Sequence, residues 1–330
     1  MEWEFRSIAI WKRKRFFDWV PLAKPLPLKD FPQRLIRKCF FVLQGYLFIL
    51  RYGPGISRAK KLGISPDGNA LLQLKKESAL GPKGSILELP QDQQIFETVQ
   101  KLGSWALEES IFLAEGLRKA EGLPNSKTAL LDIGAHCGLV TLQAMNLSKT
   151  KNEIFLFEPL PRHSVAIKHN LRNLPNVHNN NFGLSNKNSN SEIFTEITNY
   201  GNTSLFQTLV PESKQIKTSI KLVGVIEYCE KFLNRFDSYV IKCDTQGMDA
   251  LILSRIPLRI WQNTVAAVIE IWAVPEVSEI DVTNLLAKIQ SFEHGRWHPK
   301  SAKKVDFNEV GEFWMSKTGQ SRNLFLSRNI

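Results

Sequence analysis

Residues Leu130 to Gly138 (Leu-Leu-Asp-Ile-Gly-Ala-His-Cys-Gly) constrain the fold of this 330-residue chain more than any other stretch. Thr128 to Ile133 is a short apolar run suited to a strand buried on both faces. Asp132 stands near its carboxyl end and Gly134 follows, where a strand turning sharply into a helix favours a residue without a Cβ. Gly138 opens a helical run through Leu139, Leu142 and Met145, whose first amides and dipole can face a ligand. The next strand-like run, Glu153 to Phe157, ends in Glu158, twenty residues after Gly138. An acid at that offset can accept hydrogen bonds from both hydroxyls of a ribose, so a nucleoside-bearing ligand is expected.

The glycine pattern narrows the ligand. A dinucleotide fingerprint needs Gly-x-Gly-x-x-Gly, whose second glycine lets a pyrophosphate approach the backbone. Here only Gly134 and Gly138 are present, with His136 where that second glycine would stand. The loop better suits a cofactor with a ribose and a cationic amino-acid head, as in S-adenosylmethionine. The expected cofactor-binding residues are Asp132, Gly134, Ala135, His136, Gly138 and Glu158.

Four motifs in order then carry a resemblance: Asp132-Ile-Gly-Ala-His-Cys-Gly138, Phe157-Glu158-Pro159, Asn202-Thr-Ser-Leu205 and Lys242-Cys-Asp-Thr-Gln-Gly-Met-Asp249. From about Ile86 to the C-terminus the chain resembles FkbM-type methyltransferases. These are S-adenosylmethionine-dependent enzymes with a Rossmann-like fold, mostly associated with O-methylation of sugars and other natural-product hydroxyls. His136 replaces an Asn usual in that family, and Asp249 replaces a Glu. The resemblance implies methyl transfer to a hydroxyl of a carbohydrate, glycolipid or similar small acceptor. An RNA ribose methyltransferase and a non-catalytic membrane-peripheral protein that keeps a cofactor pocket stay open as alternatives.

Alternating strand and helix patterns independently predict an α/β, doubly wound, mainly parallel sheet. Tyr239 to Cys243 and Val265 to Ile271 read as further buried strands, and Asn323 to Leu326 as a closing one. Ligands of such sheets bind beyond the carboxyl ends of the strands, where Asp132, Glu158, Asp244 and Glu270 all fall. Asp244 and Glu270 are the expected catalytic pair, since a carboxylate can take a hydroxyl proton. Asp244, Asp249 and Glu270 could also collect a magnesium ion, but no ligand spacing supports one and no metal is expected. Trp272, Trp297 and Trp314 are candidates for stacking on a sugar.

Charge divides the chain. Residues 1–62 hold fourteen Lys and Arg against four Asp and Glu, a balance of +10 that leaves +1 for the rest of a +11 protein. A nucleic-acid groove spread over the body is therefore not expected. Residues 1–62 read as a basic, aromatic arm, 63–125 as a polar connector and helical lead-in, and 126–330 as the methyltransferase domain. Within the arm, Cys39 to Leu50 is too short to cross a bilayer, which takes ~20 apolar residues. Residues 34–51 suit a helix on an anionic membrane surface, with packing against the body or in a dimer as alternatives. The four cysteines lack paired spacing and the N-terminus lacks a signal-peptide pattern, so a cytoplasmic location is expected, with a position peripheral to a membrane as the alternative. The oligomeric state is not legible.

In the lead-in, helices are predicted over Gln91–Lys101 and Ala106–Lys119, the second with Ser104 as N-cap and Leu107, Ile111, Ala114 and Leu117 facing inward. A further helix is predicted from Pro159 to Leu171. Ile86 to Leu89 reads as a short strand, Asn176 to Leu184 as a third strand of the sheet, and Ile193–Phe194, Leu205–Phe206 and Ile220–Val223 as small strands, while the Ser/Asn-rich stretch between Ser185 and Thr203 is expected to be a loop over the site.

Overall fold

The computed structural model describes residues 57–330 except Gln91, Asn125, Thr198 and Ile330, and the arm with its apolar run lies outside the described residues. Chain order begins with β1 (Ala59–Ile64), β2 (Ala70–Leu74), β3 (Ile86–Leu89), α1 (Gln93–Leu102), α2 (Leu107–Glu121), β4 (Thr128–Ile133), α3 (Leu139–Ser148), β5 (Glu153–Phe157) and α4 (Pro161–Asn170). It continues with β6 (Val177–Asn180), β7 (Gly183–Ser185), β8 (Ser189–Glu196), β9 (Asn199–Ser204), β10 (Gln215–Gly224), α5 (Val225–Tyr228) and β11 (Ser238–Cys243). The closing elements are α6 (Asp249–Arg255), α7 (Leu258–Gln262), β12 (Thr264–Trp272), α8 (Glu279–Ile289), β13 (His294–Arg296), α9 (Phe307–Met315) and β14 (Ser321–Ser327).

The central seven-stranded sheet has the order β13-β14-β12-β11-β4-β5-β6. Strands β4, β5, β6, β11 and β12 pair in parallel, and β14 inserts antiparallel between β12 and β13. This is the Rossmann-like, doubly wound sheet the sequence predicted. Its core strands are buried throughout because helices cover both faces. Even-numbered positions (Leu130, Val240, Ala266, Val268) pack with α1 to α4, while odd ones (Leu131, Ile241, Ala267, Ile269) pack with α5 to α9. The chain starts at β4, steps outward to β6, then returns to β11 on the other side of β4. That reversal lies at the carboxyl ends of β4 and β11, the place where sheets of this kind bind ligands.

Helix α2 covers the even face antiparallel to the strands. Lys119 in its last turn reaches the carbonyl of Arg328 at the amino edge, and Glu109 in its first turn reaches Asn323 toward the carboxyl edge. Its cap differs from expectation: Ala106, in a left-handed conformation (φ 43°), precedes the helix, and Ser104 does not cap it. The buried stripe runs through Ser110, Leu113, Ala114, Gly116, Leu117 and Ala120, so Ile111 is rotated outward and exposed.

Two regions expected to be largely irregular are sheets. β1 and β2 stand in place of the polar connector and form a three-stranded antiparallel sheet with β3, the strand expected at Ile86–Leu89. Its apolar residues (Ala59, Leu72, Leu74, Leu87 and Leu89) alternate inward, while Lys60 and Lys61 on the solvent side hide the strand pattern. The Ser/Asn-rich stretch supplies β8 and β9 to a four-stranded sheet of order β7-β10-β8-β9. Only Ile193, Phe194 and Thr195 of β8 are buried, so long pairing with β10 rather than an apolar run defines the strand. The predicted third strand breaks at Asn181 into β6 and β7; Asn179 and Asn180 are tolerated because β6 is the sheet's edge. Among the described residues no helix is long and apolar enough to cross a membrane.

At Gly116 an added Cβ would meet Ala266 Cβ at 2.6 Å, so α2 lies as close to β12 as a glycine permits. Gly116→Val should overpack this contact and cost ~1–3 kcal/mol. A urea titration should show a lower midpoint with an unchanged slope.

Candidate functional site

The glycine loop is shaped first by the neighbouring backbone. Gly134 has φ +77°, and a Cβ there would lie 1.8 Å from the carbonyl oxygen of Asp244. The glycine is thus required by the close approach of β4 and β11, before any ligand is considered. At Gly138, φ +76°, a Cβ would press on Leu171 Cδ1 at 2.9 Å, which sets how α3 starts against α4. The amides of Gly134 and Ala135 both donate to the Phe157 carbonyl (3.0 and 3.2 Å), tying the loop to β5.

Glu158, at the end of β5, is buried and turned toward this loop. Its Oε2 accepts from the His136 amide at 2.9 Å and its Oε1 from the Leu160 amide at 3.0 Å, with His163 Nδ1 3.3 Å away. A carboxylate offers about four acceptor positions, so two such bonds leave capacity for ribose hydroxyls. His136 is left-handed (φ 52°) and its ring lies 4.2 Å from that of His163. Burial, then His163 and Lys242, push its pKa well below the ordinary value and keep the ring neutral. Its buried Nε2 has no hydrogen-bond partner among the described residues, nor has the buried hydroxyl of Thr245 beside Asp244.

At the β4–β11 junction Lys242 stands opposite Asp132 in register, and both are buried. Lys242 Nζ lies 3.2 Å from Asp132 Oδ1 and 3.8 Å from Asp244 Oδ2, and donates to the Gly134 carbonyl at 2.6 Å. Asp132 Oδ2 accepts from Thr141 at 2.6 Å. Burial alone would favour loss of the lysine's proton, but the carboxylates of Asp132, Asp244 and Glu109 more than offset it and raise its pKa. Lys242 stays charged. Asp132 accordingly braces the glycine loop through Lys242 and Thr141.

Asp244 and Glu270 come together as the sequence predicted. Gln246, left-handed at φ 53°, donates its Nε2 to both Asp244 Oδ1 and Glu270 Oε2, each at 2.8 Å. Trp272 Nε1 donates to Glu270 Oε2 at 2.5 Å. Burial, then the Asp244 charge beside it, raises the Glu270 pKa well above the carboxylate range. Asp244 is also subject to burial, yet Lys242 and the hydrogen bonds from Glu270 and Gln246 pull it below its ordinary value. The two carboxyls titrate as a pair whose values are pushed apart, Asp244 down and Glu270 up, and the Asp244 side chain is 38% exposed.

Asp249 serves its own loop. Its Oδ1 accepts from the Thr245 amide (2.9 Å) and Cys243 Sγ (3.2 Å), and its Oδ2 from the Gly247 amide (3.2 Å). Burial, then Asp244, raises its pKa to about 6. Among the described residues no three His, Cys, Asp or Glu side chains are grouped to hold a metal ion. The Asn202–Leu205 motif supports the same loop from outside: Ser204 donates to the Gln246 carbonyl at 2.8 Å, and Phe206 packs where a Gly247 side chain would go.

The four acids read from the sequence share one edge without forming one cluster. Asp132, Asp244 and Glu270 meet around Lys242 and Gln246, whereas Glu158 lies one strand outward and contacts the glycine loop and α4. Sequence reading missed Lys242 as their counter-ion, and it missed Glu109. Glu108 faces out to His298 and Lys300, but Glu109 faces in and accepts from Asn323 at 2.8 Å. Its signal was helical spacing, four residues before Leu113 and seven before Gly116 on the buried stripe. Burial, then Asp244, raises the Glu109 pKa to about 7. Of the candidate tryptophans, Trp272 belongs to the site through Glu270, Trp314 is core, and Trp297 packs edge-on to Phe313.

No family model matches the chain, and no curated protein matches it in sequence. Among solved structures it is similar to an Aeropyrum pernix fibrillarin with natively bound S-adenosyl-L-methionine, at 11% identity over 82% of this chain and 100% of that one, with a TM-score of 0.34. It is also similar to a precorrin-6y C5,15-methyltransferase from Geobacter metallireducens GS-15 (13% identity, 69% and 89% covered, TM-score 0.30). A third is the mitomycin 7-O-methyltransferase MmcR (14% identity, 72% and 57% covered, TM-score 0.30). Likenesses this low leave the reading of the site to its own residues.

Two stability measurements probe this electrostatic arrangement. Lys242→Met should cost ~3–5 kcal/mol, because it strands the buried Asp132 carboxylate, and adding Asp132→Asn should recover much of the loss. Chemical denaturation of the single and double variants checks both. For Glu109, the folded pKa of about 7 lies above its ordinary 4.5, so the folded state binds the extra proton between those values. Its contribution to stability is full below about 4.5 and lost as pH rises to about 7. Glu109→Gln should flatten that part of the melting-temperature profile relative to the wild-type chain.

Proposed function

We propose that this protein is a methyltransferase that moves a methyl group from S-adenosylmethionine to a hydroxyl of a carbohydrate, glycolipid or similar small acceptor. The observation that carries the reading is the convergence, at the reversal point of the sheet, of a glycine loop opening α3 with Asp132, Asp244, Glu270 and Glu109 around a single lysine. Such an edge attracts cations and repels phosphates, which favours a sulfonium and ammonium cofactor over a dinucleotide. The unpartnered His136 Nε2 and Thr245 hydroxyl at the same edge fit a polar ligand that would complete them.

In this reading Glu158 receives the ribose hydroxyls, and Gly134, Ala135, His136 and Gly138 line the cofactor, with Asp132 holding their loop. When bound, the cofactor supplies an electrophilic methyl on a positively charged sulfur. Asp244, held low by Lys242 and partly exposed, orients the acceptor hydroxyl, and Gln246, itself anchored on Glu270 beside Trp272, holds Asp244 in place. A carboxylate-rich edge that can take up a proton suits a hydroxyl acceptor, whose O–H must be lost during transfer. The basic segment 34–51 would suit an acceptor presented on an anionic membrane.

Calorimetry should detect S-adenosylmethionine binding, weakened by ~1.5–3 kcal/mol in Glu158→Gln. In assays with glycan, glycolipid and RNA acceptors, Asp244→Asn should keep the cofactor while transfer falls ~10–100-fold, the loss of one hydrogen bond to a charged group. Absence of cofactor binding by the full chain would overturn the reading, and transfer to RNA alone would replace the acceptor class.

A further inference from the structure

We propose that Glu109, in the first turn of α2, takes the proton of the acceptor hydroxyl; the assignment rests on the methyl-transfer reading above. The direction of α2 puts its amino end over the carboxyl ends of β11 and β12, with Lys119 at the opposite edge marking the other end. Asn323, directly opposite Glu270 on β14, fixes one Glu109 oxygen at 2.8 Å. Among the described residues no donor holds the second oxygen, which stays available to a ligand hydroxyl.

The neighbouring groups divide the work. Glu109 lies within electrostatic reach of Asp132, Lys242 and Asp244 at the ends of β4 and β11, and Asn323 on β14 donates to it. Glu108, its neighbour on α2, is turned away to His298 and Lys300. Lys242 keeps Asp244 ionised, which makes it a good hydrogen-bond acceptor but a weak base. Glu270 is raised by burial and by the Asp244 charge, and its Oε2 is already occupied by Gln246 and Trp272. Glu109 has an oxygen open at the same edge, and its pKa, raised to about 7, suits a base that must both accept and release a proton near neutrality. As the acceptor oxygen gains the methyl group, the bond from methyl to cofactor sulfur breaks and its electron pair neutralises the sulfur. The O–H bond breaks in the same event, and its proton passes to Glu109, from which solvent removes it.

The test uses the full chain and Glu109→Gln, with Glu109→Asp as the conservative variant. Carbon-13 NMR of glutamate-labelled protein should show one carboxyl titrating near 7 in the wild-type chain and none there in Glu109→Gln. With a hydroxyl acceptor that the wild-type enzyme methylates, kcat should fall ~10²–10⁴-fold in Glu109→Gln, with cofactor affinity kept. The rise in rate through neutral pH should vanish in that variant and partly return in Glu109→Asp. Unchanged kcat and pH profile in Glu109→Gln, or no carboxyl titrating near 7, overturns the assignment while leaving methyl transfer standing. If the wild-type chain binds the cofactor yet methylates no hydroxyl, the functional reading fails and the assignment falls with it.

Discussion

Everything at the carboxyl edge depends on one buried cation. Lys242 sits between Asp132 on the next strand and Asp244 two residues along its own, with the Gly134 carbonyl as a third partner. Removing two charges from water is costly, and the cost is offset only if every group finds its partners. Thr141 and the loop carbonyl supply those that the ion pair leaves over. The result is a rigid β4–β11 junction in which Gly134 has no space for a side chain. The loop that opens α3 therefore has its shape set from beneath.

The same lysine sorts the acids above it. Asp132 is paired with it and Asp244 is depressed by it, while burial and then the Asp244 charge raise Glu270 and Glu109. A cationic ligand at that edge would rebalance the set, which links affinity for such a ligand to pH.

Support from outside the sheet is equally specific. The loop from Asp244 to Asp249 is closed from within by Asp249, which accepts two of its amides and the Cys243 thiol. From without, Ser204 at the end of β9 donates to the Gln246 carbonyl, and Phe206 just beyond the strand packs at Gly247. Two motifs separated by about forty residues thus meet to fix Gln246, whose amide bridges Asp244 and Glu270. The strained left-handed conformation of Gln246 is the kind of local cost that surrounding structure sustains at working sites.

By itself the sequence determined the doubly wound sheet, the glycine loop after β4, the acid at the end of β5 and the meeting of Asp244 with Glu270. These are local signals, namely apolar runs of strand length, glycines at a sharp turn and acids at strand ends, and they need no knowledge of neighbours. The tertiary structure alone decided which partner each acid has. Strand register places Lys242 opposite Asp132, the reversal of strand order brings β11 beside β4, and helix rotation turns Glu109 inward while exposing Ile111. The inserted sheet was hidden for a related reason, since β8 is defined by backbone pairing with β10 and its Ser and Asn side chains carry little strand signal. Charge state followed the same division, because a carboxyl group's pKa is set by burial and by charges from distant parts of the chain, and neither is written at its own position.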